Sequence, residues 1–162
     1  MLRVAAYTGG GSTPSARFRV RQYIPKLTNA GIDVREFPSL CGQYPPASRV
    51  ARPAWAGARV IEGAVRAIGS HRRDLLLFQR ELLSTMVTFE PLYKRPRILD
   101  VDDAIWLHSR GSFALRLAGQ CDAVICGNSY LADYFGASGR PIYLLPTAVD
   151  TGKRSEERRV GK

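Results

Sequence analysis

Residues 74–78 read DLLLF, a strand-like segment in which four apolar side chains follow one another without interruption. Such a run indicates a strand buried on both faces, as in a parallel sheet that helices cover. Five further segments are short and strand-like: residues 2–7, 32–37, 97–101, 122–126 and 141–145. Segments with helical character separate these strands, so the sequence predicts an α/β fold with a doubly wound, Rossmann-like parallel sheet.

The first predicted helix runs from Ala16 to Ala30 and is amphipathic. Ser15 is its candidate N-cap, and Gly31 marks its end. Pro25 lies inside it and removes a backbone hydrogen bond, so a kink is expected there.

A second helix is predicted over residues 55–69, with opposite faces of different character. The side chains expected to face the core are Ile61, Ala64, Val65 and Ile68. Those expected to face solvent are Arg59, Glu62 and Arg66. Between the second strand and this helix, residues 38–54 predict a long irregular loop. Later helices are predicted near residues 82–95, near residues 112–119 and after Asn128.

The composition fits one globular domain. The chain has 162 residues, of which 45% are hydrophobic and 23% charged, which excludes disordered and collagen-like classes. No apolar run approaches the roughly 20 residues that span a bilayer, and the first residues lack a signal-peptide pattern. We therefore expect a cytoplasmic location, including a peripheral position at the inner face of the cell membrane.

The formal charge is +10, which suggests an anionic partner. Three cysteines, Cys41, Cys121 and Cys126, lack the spacing of a metal site, so we expect buried, reduced thiols and no metal.

Residues 154–162 read RSEERRVGK and resemble the translation of a sequencing adapter. We expect a processing scar here, on a truncated reading frame; the alternative is a genuine basic tail. The segment carries four basic and two acidic residues, so its removal lowers the formal charge from +10 to +8. The expected organisation is one domain over residues 1–150, with the start of a linker and this tail over residues 151–162.

A glycine-rich turn follows the first strand, at Gly9, Gly10 and Gly11. Glycines allow a phosphate or a sugar to approach the backbone closely, and a following helix N-terminus favours anions. Arg17 is the candidate side chain for such a ligand, with Arg19 and Arg21 as further basic groups. The spacing matches neither the dinucleotide fingerprint nor a P-loop, and a flexible turn is the alternative.

Carboxylates follow the strand at 97–101, at Asp100, Asp102 and Asp103. Clustered carboxylates can ligate a hard cation, accept hydrogen bonds from sugar hydroxyls or act as a base, and helix capping is the alternative. Trp106 is a candidate for sugar stacking or for the core, and His108 is a further polar candidate.

Asn128 begins a helix directly after a buried strand, so it is predicted as an N-cap that also faces the cleft. A separate basic cluster lacks the interleaved aromatic residues of a nucleic-acid platform: Arg49, Arg52, Arg59, Arg66, Arg72 and Arg73. A solvated face or a membrane-surface patch accounts for this cluster.

Four segments together resemble the N-terminal domain of GT-B-fold glycosyltransferases of the group 1 (family 4) type. They are residues 7–21 (YTGGGSTPSARFRVR), 98–107 (ILDVDDAIWL), 121–135 (CDAVICGNSYLADYF) and 141–150 (PIYLLPTAVD). The resemblance implies the acceptor-side half of a two-domain hexosyltransferase-like enzyme of cell-envelope polysaccharide synthesis. Such enzymes transfer a sugar from a nucleotide-sugar to a hydroxyl acceptor, usually with retention and without a metal. Catalytic donor-side residues would lie in a second domain.

The resemblance also implies the partners: a nucleotide-sugar donor as substrate, a sugar or lipid-linked acceptor, and no nucleic acid. No other cofactor is expected. Gly9 to Gly11 would lie near the donor phosphate, and the expected acceptor contacts are Arg17, Asp102, Asp103 and Asn128. The Asn-Gly-Val-Asp usual near the end of such a domain reads Thr147-Ala148-Val149-Asp150 here, which weakens the transfer of any role to Thr147 and Ala148.

Three other functions compete. A GT-A transferase would bind a metal through Asp100 and Asp102. A nicotinamide-dependent oxidoreductase would use Glu36, at the end of the second strand, on a ribose, although the glycine spacing is wrong. A non-enzymatic module binding nucleic acid or another anion would explain the charge, without a recognition motif.

Overall fold

A computed structural model of the chain describes residues 1–11, 13–42, 45–80, 90–108 and 112–148. Its centre is a six-stranded parallel sheet in the order β2-β1-β3-β4-β5-β6. The strands are β1 (Leu2–Thr8), β2 (Ile32–Pro38), β3 (Leu75–Gln79), β4 (Arg97–Val101), β5 (Ala123–Cys126) and β6 (Ile142–Leu144). The predicted α/β fold with a doubly wound, Rossmann-like sheet is confirmed.

The strand order reverses beside β1. The chain runs from β1 outward to β2, then returns past β1 to β3 and continues to β6. The register places Val4 between Val34 on β2 and Leu75 on β3. Parallel sheets bind ligands outside the carboxyl ends of their strands where the order reverses, so the loops after β1 and β3 flank the favoured position.

Two apolar layers cover the sheet. One layer joins β1, β3, β4 and β5 to helices α4 (Ser112–Gly119) and α5 (Ser129–Gly136), with Phe78, Leu99, Leu117 and Phe135 at its centre. The other is smaller and packs Val4, Ala6 and Val34 against Val20. No helix in the described residues is both long and apolar enough to cross a membrane.

The first predicted helix is divided. Helix α1 covers Pro14–Arg19, a 3-10 turn covers Arg21–Tyr23, and helix α2 covers Ile24–Asn29. The kink expected at Pro25 is therefore a full interruption just before it, and proline lies in the first turn of α2, where its missing N–H costs nothing. Ser15 lies within α1 rather than capping it. Gly31 follows α2 with a φ of 82°, as the helix-end prediction requires.

Helix α3, Arg52–Ser70, has its faces reversed relative to the prediction. The side chains expected in the core are exposed: Ile61, Ala64, Val65 and Ile68. The charged side chains expected in solvent turn toward the protein and are at most 13% exposed: Arg59, Glu62 and Arg66. The predicted orientation of this helix was wrong.

The end of β2 and the loop after it explain the reversal of the α3 faces. Arg66 donates to the carbonyls of Phe37 and Pro38, and Glu62 accepts the backbone N–H of Leu40 at 2.9 Å. Arg59 donates to the Ser39 hydroxyl at 2.7 Å. Backbone groups shielded from water need partners, and the polar side of α3 supplies them.

Several further expectations have mixed outcomes. All three cysteines are free; Cys121 and Cys126 are buried, whereas Cys41 is half-buried. Of the helix predicted near residues 82–95, residues 82–89 lie outside the described residues, and Glu90–Leu92 form a 3-10 turn. Val149, Asp150 and the expected linker and tail also lie outside them.

Candidate functional site

Four strands bring polar residues to one edge of the sheet. The carboxyl ends of β1, β3, β4 and β5 lead into the glycine turn, Gln79-Arg80, Asp102-Asp103 and Gly127-Asn128. We call Gln79, Arg80, Asp102 and Asp103 the carboxyl-edge cluster. It lies at the carboxyl ends of β3 and β4, and β3 borders the reversal of strand order, where a ligand is expected.

The glycine turn is held from within the protein. Arg21 donates to the carbonyls of Gly10 at 2.9 Å and Gly11 at 2.7 Å. The same guanidinium forms a two-point ion pair with Glu36, at 2.7 and 2.8 Å. The Thr8 hydroxyl also donates to Glu36, at 2.6 Å. These contacts fix the glycine turn, which the sequence predicts to lie beside a ligand.

Glu36 is consequently occupied. Burial alone would raise its pKa, but the hydrogen bonds from Arg21 and Thr8 outweigh burial and lower the pKa below its ordinary value. A carboxylate engaged in this way has little remaining capacity for the hydroxyls of a cofactor ribose. The geometry therefore weighs against the nicotinamide alternative.

The three arginines after the turn have different environments. Arg17 is exposed on α1, Arg21 anchors the turn, and the side chain of Arg19 is 2% exposed. The expectation that all three add charge at an anion site was therefore wrong for Arg19 and Arg21. Helix α1 has only six residues, with Pro14 in its first turn, so its N-terminus offers little to an anion. Of the three, only Arg17 lies at an exposed position.

Arg19 and Asp100 form a buried ion pair. Arg19 Nε lies 3.1 Å from Asp100 Oδ2, and Nη2 donates to Oδ1. Arg19 Nη1 also donates to the Leu145 carbonyl at 2.6 Å and to the Thr147 hydroxyl at 3.3 Å. Burial opposes the charge on Arg19, yet its contacts with Asp100 raise the guanidinium pKa, so the cation persists. Asp100 is therefore committed to the fold.

Asp102 differs from Asp100, because no ion pair of this kind joins it to another of the described residues. Its Oδ1 is buried, and no hydrogen-bond partner for it exists in the described structure. Burial, and then the neighbouring charge of Asp103, raise the pKa of Asp102, while Arg80 opposes the rise. Asp103 is more exposed and pairs with Arg80 Nη1 at 3.2 Å. An under-satisfied carboxylate with a raised pKa is a candidate base or hydroxyl acceptor.

The sequence reasoning missed Gln79 and Arg80. Gln79 is 3% exposed, and its Nε2 has no hydrogen-bond partner among the residues described. Arg80 has a φ of 66°, an unusual backbone conformation for a residue with a side chain, and its N–H donates to the Asp100 carbonyl at 2.9 Å. Backbone strain and unpaired polar atoms concentrate at functional sites. The sequence signal available was the pair of polar residues, Gln79 and Arg80, directly after the apolar run of β3.

Gly127 permits the close approach of two strand ends. A Cβ atom at this position would lie 3.3 Å from the Asp102 Cα, and the Gly127 N–H donates to the Val101 carbonyl at 2.9 Å. A larger residue would therefore displace the backbone that carries Asp102.

Asn128 is the predicted N-cap. Its Oδ1 accepts the Leu131 N–H of α5 at 2.9 Å, which confirms capping and occupies that oxygen. The residue is exposed at the same edge as the cluster.

No model of a known family matches the chain, and no curated protein does. The resemblance to glycosyltransferases therefore remains a prediction, and the site has to be judged by its own chemistry.

Trp106 belongs to an aromatic cluster. Its ring stacks on Tyr134 with centroids 3.6 Å apart, and Phe135 approaches edge-on at 5.7 Å. These contacts favour the core alternative for Trp106 over sugar stacking. His108 ends a 3-10 turn that begins at Ile105, and its side chain lies outside the described residues.

The edge can bind and orient a hydroxylated ligand. Gln79 supplies an amide donor and Asp102 a carboxylate acceptor. The Arg80 cation pairs with Asp103 and lowers the pKa of Asp102. Among the described residues, no group of three or more His, Cys, Asp or Glu side chains could hold a metal ion. Asp100 in particular is occupied by Arg19, which weighs against the paired-aspartate metal site of a GT-A enzyme.

Proposed function

We propose that the chain is the acceptor-side domain of a GT-B-type glycosyltransferase, and that its carboxyl edge binds the acceptor hydroxyl. The observation that carries the proposal is Asp102 at the carboxyl end of β4, whose carboxylate has a raised pKa and a buried oxygen without a hydrogen-bond partner among the described residues. In sugar transfer, the oxygen of an acceptor hydroxyl bonds to the anomeric carbon of a nucleotide-sugar while the bond from that carbon to the phosphate oxygen breaks. The nucleotide leaves with the bonding electrons, and the hydroxyl gives its proton to a base. A carboxylate that accepts a hydrogen bond from this hydroxyl orients it and stabilises the developing positive charge.

The other residues of the cluster support this role. Arg80 pairs with Asp103 and lowers the local negative charge, and Gln79 adds a donor for a second hydroxyl. The Arg21-anchored turn, which includes Gly9, follows β1 at the same edge, and we propose that this turn and Arg17 approach the phosphate side of the donor. The donor site itself is proposed to lie in a second domain, as the resemblance implies, and the reaction would take place at the cytoplasmic side of the cell envelope.

The charge is a weak argument for a nucleic-acid module. Many of the arginines are engaged in ion pairs with acids of the same chain: Arg3, Arg19, Arg21, Arg59, Arg66, Arg73, Arg80 and Arg95. The positive charge of these arginines is engaged in contacts within the chain.

The test is a transfer assay on the complete reading frame from the source locus. The protein is incubated with radiolabelled UDP-glucose, UDP-galactose and GDP-mannose and a lipid extract of the source cells. We expect incorporation from one donor and a loss of about 10²- to 10⁴-fold in kcat for Asp102→Asn.

Asp133→Asn is the matched control, because Asp133 is an exposed acid on α5. This variant should retain full activity. Absence of transfer from every donor, or equal rates for Asp102→Asn and Asp133→Asn, would refute the proposal.

A further inference from the structure

The outward side of α3 is apolar along its length. Every exposed position from Pro53 to Gly69 carries an apolar side chain, alanine or glycine. We define the outer face of α3 as Val60, Ile61, Ala64, Val65 and Ile68. The exposed fractions of Ile61, Val65 and Ile68 are 67%, 64% and 75%. Four large aliphatic side chains in one stripe on a surface helix form a patch that soluble surfaces avoid unless something binds there.

The stripe is a consequence of the fold rather than of a loose helix. Glu62 is the only acid in α3, and both of its oxygens face inward, bound to Arg59 and Arg66. Those arginines in turn hold the loop after β2. Rotating α3 to bury its apolar side would break these contacts, so the outer face remains exposed.

Positive charge lies at both ends of the stripe. Arg49 and Arg52 are exposed where α3 begins, and Arg72 is exposed just after it ends. The outer face itself carries no acid. A bilayer surface has acyl chains below anionic phosphates. The apolar stripe can contact the acyl chains, and the cationic groups at its ends can contact the phosphates.

We propose that the outer face of α3 docks on an anionic lipid surface. The helix lies in the plane of the interface, with Ile61, Val65 and Ile68 among the upper acyl groups and the terminal arginines at the headgroups. A second copy of the chain fits less well, because a symmetric pairing of these helices brings arginine-bearing ends together. The inference concerns a different surface from the carboxyl edge and does not depend on the proposed sugar transfer.

The test is flotation of the 162-residue chain with vesicles of phosphatidylcholine, with and without phosphatidylglycerol. We expect binding only to vesicles with the anionic lipid, and weaker binding as salt rises. Combining Ile61→Ser, Val65→Ser and Ile68→Ser should lower the partition coefficient by at least about tenfold. Each of Arg49→Gln, Arg52→Gln and Arg72→Gln should lower it about fivefold.

Leu107→Ser is the matched control, since Leu107 is 71% exposed on a different part of the surface. It should bind vesicles as the wild type does. Circular dichroism should show the same melting temperature for the triple serine variant, because the changed side chains are exposed. Equal partition of the triple variant and the wild type, or equal binding to vesicles without phosphatidylglycerol, would overturn the proposal. A third result would also overturn it. If light scattering shows a wild-type dimer and a monomeric triple variant, and the wild type does not bind vesicles, the stripe binds a second copy instead.

Discussion

Replacing Arg19 by methionine tests how much the buried ion pair between Arg19 and Asp100 contributes to the stability of the fold. The change removes the partner of Asp100 while both side chains lie in the interior, at 2% and 4% exposure. Breaking a buried pair leaves an uncompensated charge, which costs about 3–5 kcal/mol. At about 2–4 °C per kcal/mol for a chain of this size, the melting temperature should fall by roughly 6–20 °C.

The assay is urea unfolding followed by far-ultraviolet circular dichroism. Arg19→Met combined with Asp100→Leu should recover most of the stability, because an apolar pair no longer contains a stranded charge. In Arg19→Met alone, burial keeps the pKa of Asp100 raised. Its folded state then binds a proton more tightly than its unfolded state, so the deficit relative to wild type should shrink as pH falls through that raised pKa. A loss below about 1 kcal/mol, as for an exposed pair, would refute the buried-pair reasoning.

Three further predictions concern the edge and the thiols. Asp102→Asn should stabilise the fold at neutral pH by about 1 kcal/mol or less, because it removes a charge that burial disfavours; the gain should vanish as pH falls through the raised pKa of Asp102 in a urea titration. Gly127→Ala should cost about 1–3 kcal/mol in the same assay, because its Cβ would lie 3.3 Å from the Asp102 Cα; an unchanged midpoint would show that the strand ends can separate freely. Burial raises the pKa of Cys121 to about 12 and that of Cys126 to about 11, so a thiol reagent at pH 8 should label half-buried Cys41 first and the other two only after unfolding; rapid labelling of all three would contradict this.

The sheet could be predicted from the sequence because strand burial is a local signal. DLLLF has no polar side of its own, so only a strand between two covered faces suits it. Gly31 and Asn128 were likewise predictable, since helix ends depend on the conformation and hydrogen bonding of single residues.

The orientation of α3 could not be predicted in the same way. Periodicity identifies two faces, but the face that turns inward depends on what the helix meets. Here it meets the carbonyls of Phe37 and Pro38, and Arg66 satisfies them. The need for that donor comes from the end of β2, 28 residues earlier in the chain, which no local window contains.

The site was predictable in part. The position of Asp102 and Asp103 after a strand could be predicted, and their role in a site stays a prediction, whereas the different contacts of the three arginines could not be predicted. Spacing alone cannot show that Arg19 pairs with Asp100 and Arg21 with Glu36, because the partners lie 81 and 15 residues apart in the chain. Gln79 and Arg80 were missed because their significance comes from the position of β3 beside the strand reversal.

The position of β1 also affects how the chain folds during synthesis. Although β1 is made first, it lies inside the sheet, and Val4 pairs with Leu75, 71 residues later. At about 5–20 residues per second, the ribosome leaves that edge of β1 without its partner for roughly 4–14 s. Of the two strands that flank β1 in the final sheet, only β2 has been synthesised during this interval. Its open edge is then a place where a chaperone, or another nascent chain, can pair with it.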